Sequence, residues 1–336
     1  MTTKNVPVLP HLVEKDPVLV NEWLPVYKAT DLKDQPEQVE LLGEKIVIVR
    51  LEGKVVAFRD LCIHRGVPLS MGKVKENRLV CAYHGWEYSA CGSCVRIPAQ
   101  EAKQSIPKKA KAISYHCQEA LGLIWICLGQ PANPLVDHPM FTDHDYKSVI
   151  CGPYPIVAAA PRVVENFLDA SHFMFVHEGL LGDPSHTVIN DYHVKRIENR
   201  LISEEIVVYQ PDPDGRGTPI NSNYTYEVLA PLVARLNKID NETQQVFSMV
   251  WIIQPNNEKQ SIAYAIVSRN YDLHLPDHVF IDFQNTLLLQ DKAIIEAQKP
   301  ELLPLDLQAE LHLKSDRMSI AYRKLLNELG LTFGTA

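Results

Sequence analysis

Between residues 62 and 84 the chain carries four metal-binding side chains as two mixed pairs, Cys62-Ile63-His64 and Cys81-Ala82-Tyr83-His84. Sixteen residues separate the pairs, and a glycine follows each closely, Gly66 and Gly85. If these side chains share one site, two loops must be held tip to tip, which few small folds allow. Two thiolates can hold one iron of a [2Fe–2S] cluster while two imidazoles hold the other, and exchanging imidazole for thiolate raises the reduction potential. A structural Cys2His2 zinc site is the alternative. Zinc fingers pair Cys with Cys and His with His, whereas each pair here is mixed, which favours the cluster.

The segments around these loops are strand-like. Lys45 to Arg50 and Val55 to Phe58 flank a Glu52-Gly53-Lys54 turn, the pattern of a hairpin. Arg78-Leu79-Val80 feeds the second loop and Trp86-Glu87-Tyr88 leaves it. The eight-residue apolar run Leu121 to Leu128 is a buried strand rather than a membrane span, which needs about 20 residues. Residues 23–134 are therefore expected to form an all-β domain. Residues 1–22, with Pro7, Pro10 and Pro17, are expected to form an arm packed over it.

Pro131, Pro134 and Pro139 mark a linker, and residues 135–336 have a different character. Arg162 to His177 is helix-like, and strand signals follow at 201–209, 224–228, 245–253 and 261–267, with a turn at Asp212-Pro213-Asp214-Gly215. Thr286 to Gln298 and Met318 to Leu329 are helical. Helices flanking antiparallel strands predict an α+β second domain. The 336 residues suffice for two cores.

A net charge of −8 excludes nucleic acid or an anionic membrane as main partner. The start of the chain has no apolar signal core, so a cytoplasmic protein is expected. Seven cysteines, an odd number, argue against a disulfide framework. Cys91 and Cys94 could form half of a zinc knuckle or a redox pair, but a hairpin turn with two unligated thiols is expected. Cys117, Cys127 and Cys151 are expected in the core.

A second constellation lies in Glu165-Asn166-Phe167-Leu168-Asp169-Ala170-Ser171-His172-Phe173-Met174-Phe175-Val176-His177. Two histidines and a carboxylate can make a facial site for non-haem Fe(II). Five residues on an ideal helix separate side chains by about 140°, so His172 and His177 reach one metal only if the helix is distorted or ends before His177. The alternative is two unrelated histidines. The third ligand comes from Leu287 to Glu296, where Asp291 shares a helical face with Leu287, Leu288, Ile294 and Ile295. A carboxylate in an apolar stripe is costly unless a cation meets it: iron, or otherwise a core Arg or Lys. Glu296 is expected to pair with Lys292 in solvent.

Together the constellations resemble the α subunit of Rieske non-haem iron oxygenases over nearly the whole chain. Cys62, His64, Cys81 and His84 match the cluster motif, and Asp169, His172 and His177 match its Asp-x2-His-x4-His motif. Respiratory Rieske proteins usually carry an extra cysteine in each loop; Val67-Pro68 and Ala82-Tyr83 stand there instead, favouring the oxygenase type. The resemblance implies mononuclear iron on His172, His177 and Asp291. It further implies that Asp169 bridges electron flow from the cluster of a neighbouring subunit, and that Asn166 lies near the iron. It implies a helix-grip catalytic domain, a homotrimer and O2 as cosubstrate. The chain has no Gly-x-Gly-x-x-Gly fingerprint, so NAD(P)H acts only through a separate reductase or ferredoxin.

The single-chain length is similar to the monooxygenase and demethylase branch. Glu165-Asn166-Phe167, His172-Phe173 and Ser319 to Lys324 look like methylxanthine N-demethylases and like hydroxylases of saxitoxin-type guanidinium alkaloids. Alkaloid hydroxylation is the preferred expectation, N-demethylation of a purine-like or aromatic substrate the alternative. From other classes come an electron carrier without catalytic iron and a zinc-stabilised interaction protein. Arg65 and Trp86, beside the cluster ligands, mark the expected docking face of the electron donor.

Overall fold

A computed structural model describes residues 16–101, 103–213, 217–240 and 243–336. Most of the expected N-terminal arm, and Asp214-Gly215 of the expected turn, lie outside the described residues. The chain divides into two compact units, one ending at Leu135 and the other running from Val136 to Ala336.

The first unit is all-β. Its strands are β1 (Leu24–Lys28), β2 (Glu37–Leu41), β3 (Glu44–Leu51), β4 (Lys54–Arg59), β5 (Lys73–Lys75), β6 (Arg78–Val80), β7 (Glu87–Tyr88), β8 (Cys94–Arg96), β9 (Ser114–Ala120) and β10 (Leu123–Cys127). Six form a sheet in the order β1-β10-β9-β4-β3-β2, and β5 to β8 form a four-stranded meander. Ile46, Val47, Ile48 and Val49 of β3 are all buried, so this strand is covered on both faces. Val47, Val49, Leu51, Phe58, Leu69, Leu79 and Tyr88 share one core with Cys62 and Cys81, which anchors both loops from below. Leu19 and Val20, at the described end of the arm, are also buried, and the Val20 carbonyl accepts the Gly129 N–H at 2.7 Å.

The second unit is built on an eight-stranded antiparallel sheet. Its strands are β11 (Lys147–Ile156), β12 (Val194–Ile197), β13 (Arg200–Ser203), β14 (Ile206–Gln210), β15 (Ile220–Ala230), β16 (Val233–Ile239), β17 (Val246–Asn257) and β18 (Gln260–Arg269). The order is β11-β18-β17-β16-β15-β13-β12, with β14 also paired to β15. The helices are α1 (Ala160–Leu168), α2 (Phe173–Val176), α3 (Asp277–Ala297) and α4 (Arg317–Leu329). In β15 the buried residues Ser222, Tyr224, Tyr226 and Val228 alternate with less buried ones, the period-two signature of one covered face. A buried ion network ties α1 to α4: Glu165 accepts two bonds from Arg323 at 2.5 and 2.8 Å, and Arg162 reaches Glu310 at 2.9 Å.

Several expectations are corrected. The helix expected over Arg162–His177 is two helices, because the chain turns extended at Asp169 (φ −94°, ψ 114°) and resumes only at Phe173. The helix expected from Thr286 begins at Asp277, nine residues earlier. Ile294 is 49% exposed and leaves the apolar stripe of Asp291, whereas Leu287, Leu288 and Ile295 are buried. Cys117 is only partly buried, unlike Cys127 and Cys151. Cys91 lies on the turn joining the antiparallel strands β7 and β8, Cys94 begins β8 opposite Tyr88, and both are free thiols. Glu296 does approach Lys292 at 3.7 Å but also accepts the Val157 N–H at 2.8 Å.

Candidate metal centres and active-site pocket

The two loops of the first unit share one backbone frame. The Cys62 N–H bonds the Val67 carbonyl at 2.8 Å and the Gly66 N–H bonds back to the Cys62 carbonyl at 2.8 Å. In the second loop Cys81 N–H bonds the Trp86 carbonyl at 2.9 Å and Gly85 N–H the Cys81 carbonyl at 3.0 Å. Gly66 and Gly85, each four residues after the cysteine, have φ of +73° and +67°, a conformation costly for other residues. The loops differ only in placing histidine third or fourth.

This frame puts Cys62 and Cys81 at 2% exposure and brings the imidazoles of His64 and His84 to 4.6 Å between centroids. Trp86 stacks on His64 at 4.6 Å and 9°, holding its ring. The Nδ1 of His64 is buried without a hydrogen-bond partner, an arrangement that a metal would satisfy. The Tyr88 hydroxyl lies 3.2 Å from Cys62 Sγ. Burial and the neighbouring Cys62 push the Tyr88 phenol well up, so it keeps its proton and donates to the sulfur. Two thiols, two imidazoles and an orphaned ring nitrogen fit a [2Fe–2S] cluster.

In the second unit the break after α1 solves the angular problem of the two histidines. His172 precedes α2 and His177 follows it, with φ −113° and ψ 36° at His177, so both rings swing to one side of the short helix. Asp291 meets them from α3: its Oδ1 lies 3.3 Å from His172 Nε2 and 3.2 Å from His177 Nε2. No lysine or arginine serves as its partner in these approaches. Both ring nitrogens of His172 and Oδ1 of Asp291 are buried without a hydrogen bond, so the approaches are ionic and not directional. One ligand atom from each of the three residues lies within 4.8 Å of the other two, spacing that suits one metal ion. Two imidazoles and one carboxylate on one side are the donor set of non-haem Fe(II).

The surrounding groups prepare these donors. His177 Nδ1 is 2.7 Å from Gln290 Oε1, which can only accept, so Nδ1 carries the proton and Nε2 keeps its lone pair toward the centre. Asp169 Oδ1 accepts the Ser171 N–H at 2.7 Å and its hydroxyl at 2.6 Å, while Oδ2 lies 3.6 Å from His172 Nδ1. Burial pushes the Asp291 carboxyl up, but His172 and His177 outweigh it and hold it at about 2. Burial lowers His172, yet Asp169 and Asp291 raise it to about 9. Without a metal the cluster of groups thus retains a proton, the charge that a cation would replace.

A cavity opens directly onto this triad. Phe167, Trp251, Phe247 and Tyr154 supply aromatic walls, Leu287 and Leu288 an aliphatic floor, and Asn166, Gln284 and Lys238 the polar points. Phe167 stacks on Trp251 at 5.8 Å and 13°. Asp291 is the one acid among its described lining residues. Asn166 therefore does line the space beside the histidines. Sequence reasoning gave no role of their own to Gln290, seen only as the residue before Asp291, or to Tyr88. Gln290 adjoins Asp291, and a polar residue beside a ligand was a usable signal; for Tyr88 its place two residues after Trp86 was not.

Comparison with known proteins agrees with this geometry. Residues 22–110 match the Rieske [2Fe-2S] domain, and residues 156–332 match the vanillate O-demethylase oxygenase C-terminal domain. Methylxanthine N1-demethylase NdmA of Pseudomonas putida is 32% identical across 91% of this chain and 88% of its own length. Methylxanthine N3-demethylase NdmB of the same organism is 31% identical across 96% and 92%. The solved structure of NdmA shares 31% identity over 92% of this chain and 90% of its own, with a TM-score of 0.80. A cluster-bearing β domain and a triad-bearing helix-and-sheet domain in one chain, each matched by relatives of the same class, have one explanation: this protein belongs to the Rieske non-haem iron oxygenases.

Proposed function

We propose that this chain removes an N-methyl group oxidatively from a methylated purine-like heteroaromatic. The aromatic cavity opening onto His172, His177 and Asp291 carries this reading. Flat π-systems suit the stacked pair Phe167 and Trp251, and the identity to methylxanthine demethylases supports the same class. The guanidinium-alkaloid expectation loses support on both counts. The relatives named above are methylxanthine demethylases, and the lining offers a cation only Asp291 as partner while presenting Lys238.

Members of the family use a Rieske cluster, a mononuclear iron and O2, with electrons from a separate reductase or ferredoxin. In this reading Cys62, His64, Cys81 and His84 hold the cluster, and His172, His177 and Asp291 hold the iron, which supplies O2 activation when bound. In the balanced reaction the N-methyl group, O2, two electrons and two protons give an N-hydroxymethyl group and water. This carbinolamine then splits its C–N bond, leaving an N–H on the ring and releasing formaldehyde. The chain's own part is placement. Phe167 and Trp251 hold the ring, Asn166 and Gln284 offer hydrogen bonds at its edge, and the apolar wall excludes bulk water. Asp169 orients His172 and links it to a cluster histidine of a neighbouring subunit in a homotrimer.

Turnover with a surrogate reductase tests the reading. Methylxanthines are expected to yield stoichiometric formaldehyde and a product lighter by one CH2. A product heavier by one oxygen without formaldehyde, or turnover restricted to guanidinium alkaloids, would refute it.

A further inference from the structure

Charge is divided unevenly along this chain, whose net charge is −8. Residues 62–111, which carry both cysteine-histidine loops, hold nine Lys and Arg against three acids, Glu76, Glu87 and Glu101. The meander β5 to β8 sorts part of this charge onto one face. Val74 pairs with Leu79, Leu79 with Tyr88 and Tyr88 with Cys94, and directly paired residues share a face. That row packs into the core holding Cys62 and Cys81, so it is the inner face. The alternate rows form the outer face: Lys75 with Arg78, and Lys73 through Val80 and Glu87 to Arg96.

On this outer face Lys73 and Lys75 are exposed. Glu87 is held by Arg78 at 2.8 Å and by Arg96 at 2.7 Å, so its one carboxylate answers two guanidinium groups. Glu76 comes within 3.9 Å of Lys75, but both side chains are solvated and such a pair is worth little. The β3–β4 hairpin meets Asn77 through the Glu52 N–H at 3.3 Å and brings Glu52 and Lys54, one charge of each sign. Beyond β8, Glu101 is outnumbered by the exposed Lys103, Lys108, Lys109 and Lys111. The face stays positive after these acids are counted.

We propose that the outer face of this meander docks the electron donor, and that the donor presents an acidic surface to it. Complementary charge steers a transient partner and sets its orientation. Arg65 and Trp86 are then not the docking face. Their loops show exposed Leu61, Ile63 and Tyr83, with Arg65 the one charge in 61–66 and 81–86, a make-up suited to lasting contact. In the homotrimer proposed above that tip meets a neighbouring subunit. The outer face instead backs onto the thiol side of the site. Glu87 on it precedes Tyr88 on the inner face, and the Tyr88 hydroxyl lies 3.2 Å from Cys62 Sγ. Docking there serves the transfer of one electron, which oxidises the donor and reduces this chain, with no bond made or broken. This deepens the reading that a separate protein supplies the electrons, and rests on it.

The test titrates the holoprotein with a fluorescently labelled plant-type [2Fe–2S] ferredoxin, an acidic one-electron carrier. Wild-type binding should weaken steeply as salt is raised. Lys73→Glu combined with Lys75→Glu should weaken it about tenfold or more at low salt. Lys73→Gln combined with Lys75→Gln should fall between, and Arg65→Glu should bind like the wild type. In stopped flow, bleaching of the visible spectrum by reduced ferredoxin should slow in the same order. Photoreduced deazaflavin, which is small and uncharged, should bleach all variants alike. Salt-independent binding, no binding, or a loss in Arg65→Glu without one in the lysine variants overturns the proposal and leaves the oxygenase reading standing. A preparation that neither reductant bleaches overturns the cluster reading and this proposal with it.

Discussion

Tyr88 and Asp169 each face a residue proposed as a ligand without being proposed as one. The Tyr88 hydroxyl donates to Cys62 Sγ at 3.2 Å, and a donor to a thiolate stabilises the more electron-rich, reduced cluster. Tyr88→Phe removes a bond of about 1 kcal/mol, so the midpoint potential should fall by about 40 mV in an EPR-monitored redox titration. An unchanged potential would show that the hydroxyl does not act on the sulfur. Asp169→Asn keeps the shape and an acceptor for Ser171 but removes the charge facing His172 at 3.6 Å. Iron content and cluster spectrum should stay at wild-type levels while turnover falls more than tenfold, as for other residues that orient a metal's ligand. Coupled turnover at the normal rate would remove Asp169 from the electron path.

Among the elements, the edge strand β11 and the loop before it carry a pH-dependent liability. His138 is 2% exposed, with Nε2 2.8 Å from Ser268 Oγ, which in turn meets Ser148 Oγ at 2.7 Å. Burial, aided by Arg235, lowers its pKa from 6.5 to about 4. The unfolded chain binds this proton below pH 6.5 and the folded chain only near pH 4, so stability is complete above 6.5 and falls as pH drops between these values. The loss totals about 3 kcal/mol at most. His138→Gln can bond Ser268 without titrating, and its urea midpoint should change less between pH 7 and pH 5 than that of the wild type. Identical slopes would mean that His138 does not titrate in this way.

What the sequence concealed at this scale has identifiable causes. Strand β11 contains Gly152, Pro153 and Pro155, which argue against a strand, yet it lies at the sheet's edge, where a missing N–H is tolerated. The early turns of α3 read as polar because Asp277, His278, Asp282 and Asn285 interrupt the apolar residues, while Phe280 and Gln284 are buried. The break at Asp169 was legible only as a requirement, since two histidines five apart cannot share a metal on a straight helix. The residues read as ligands stood out because metal chemistry fixes residue type and spacing together, and the fold does bring His172, His177 and Asp291 to one place. The pocket wall was not, because a strand sequence does not reveal which of its two faces lies under a helix.

For the whole molecule, two metal sites of different chemistry in one chain give an accountable stoichiometry. Anaerobically purified protein should contain three irons per chain, two of them with acid-labile sulfide. A hydrophilic chelator should remove one, from the triad, leaving the visible spectrum of the buried-thiolate site intact. Two irons from the outset would identify an electron carrier, and a colourless preparation a zinc protein. No helix among the described residues is long and apolar enough to cross a membrane.

The paired loop frames bear on how such a protein survives its own chemistry. Each loop is closed by two backbone hydrogen bonds and a glycine at positive φ, with its cysteine rooted in the β-core. Their entropy of ordering is lost when the chain folds, not when metal arrives. A chain that had lost a cluster held there would accordingly keep both loops folded, and adding iron and sulfide is expected to restore the visible spectrum with no refolding step.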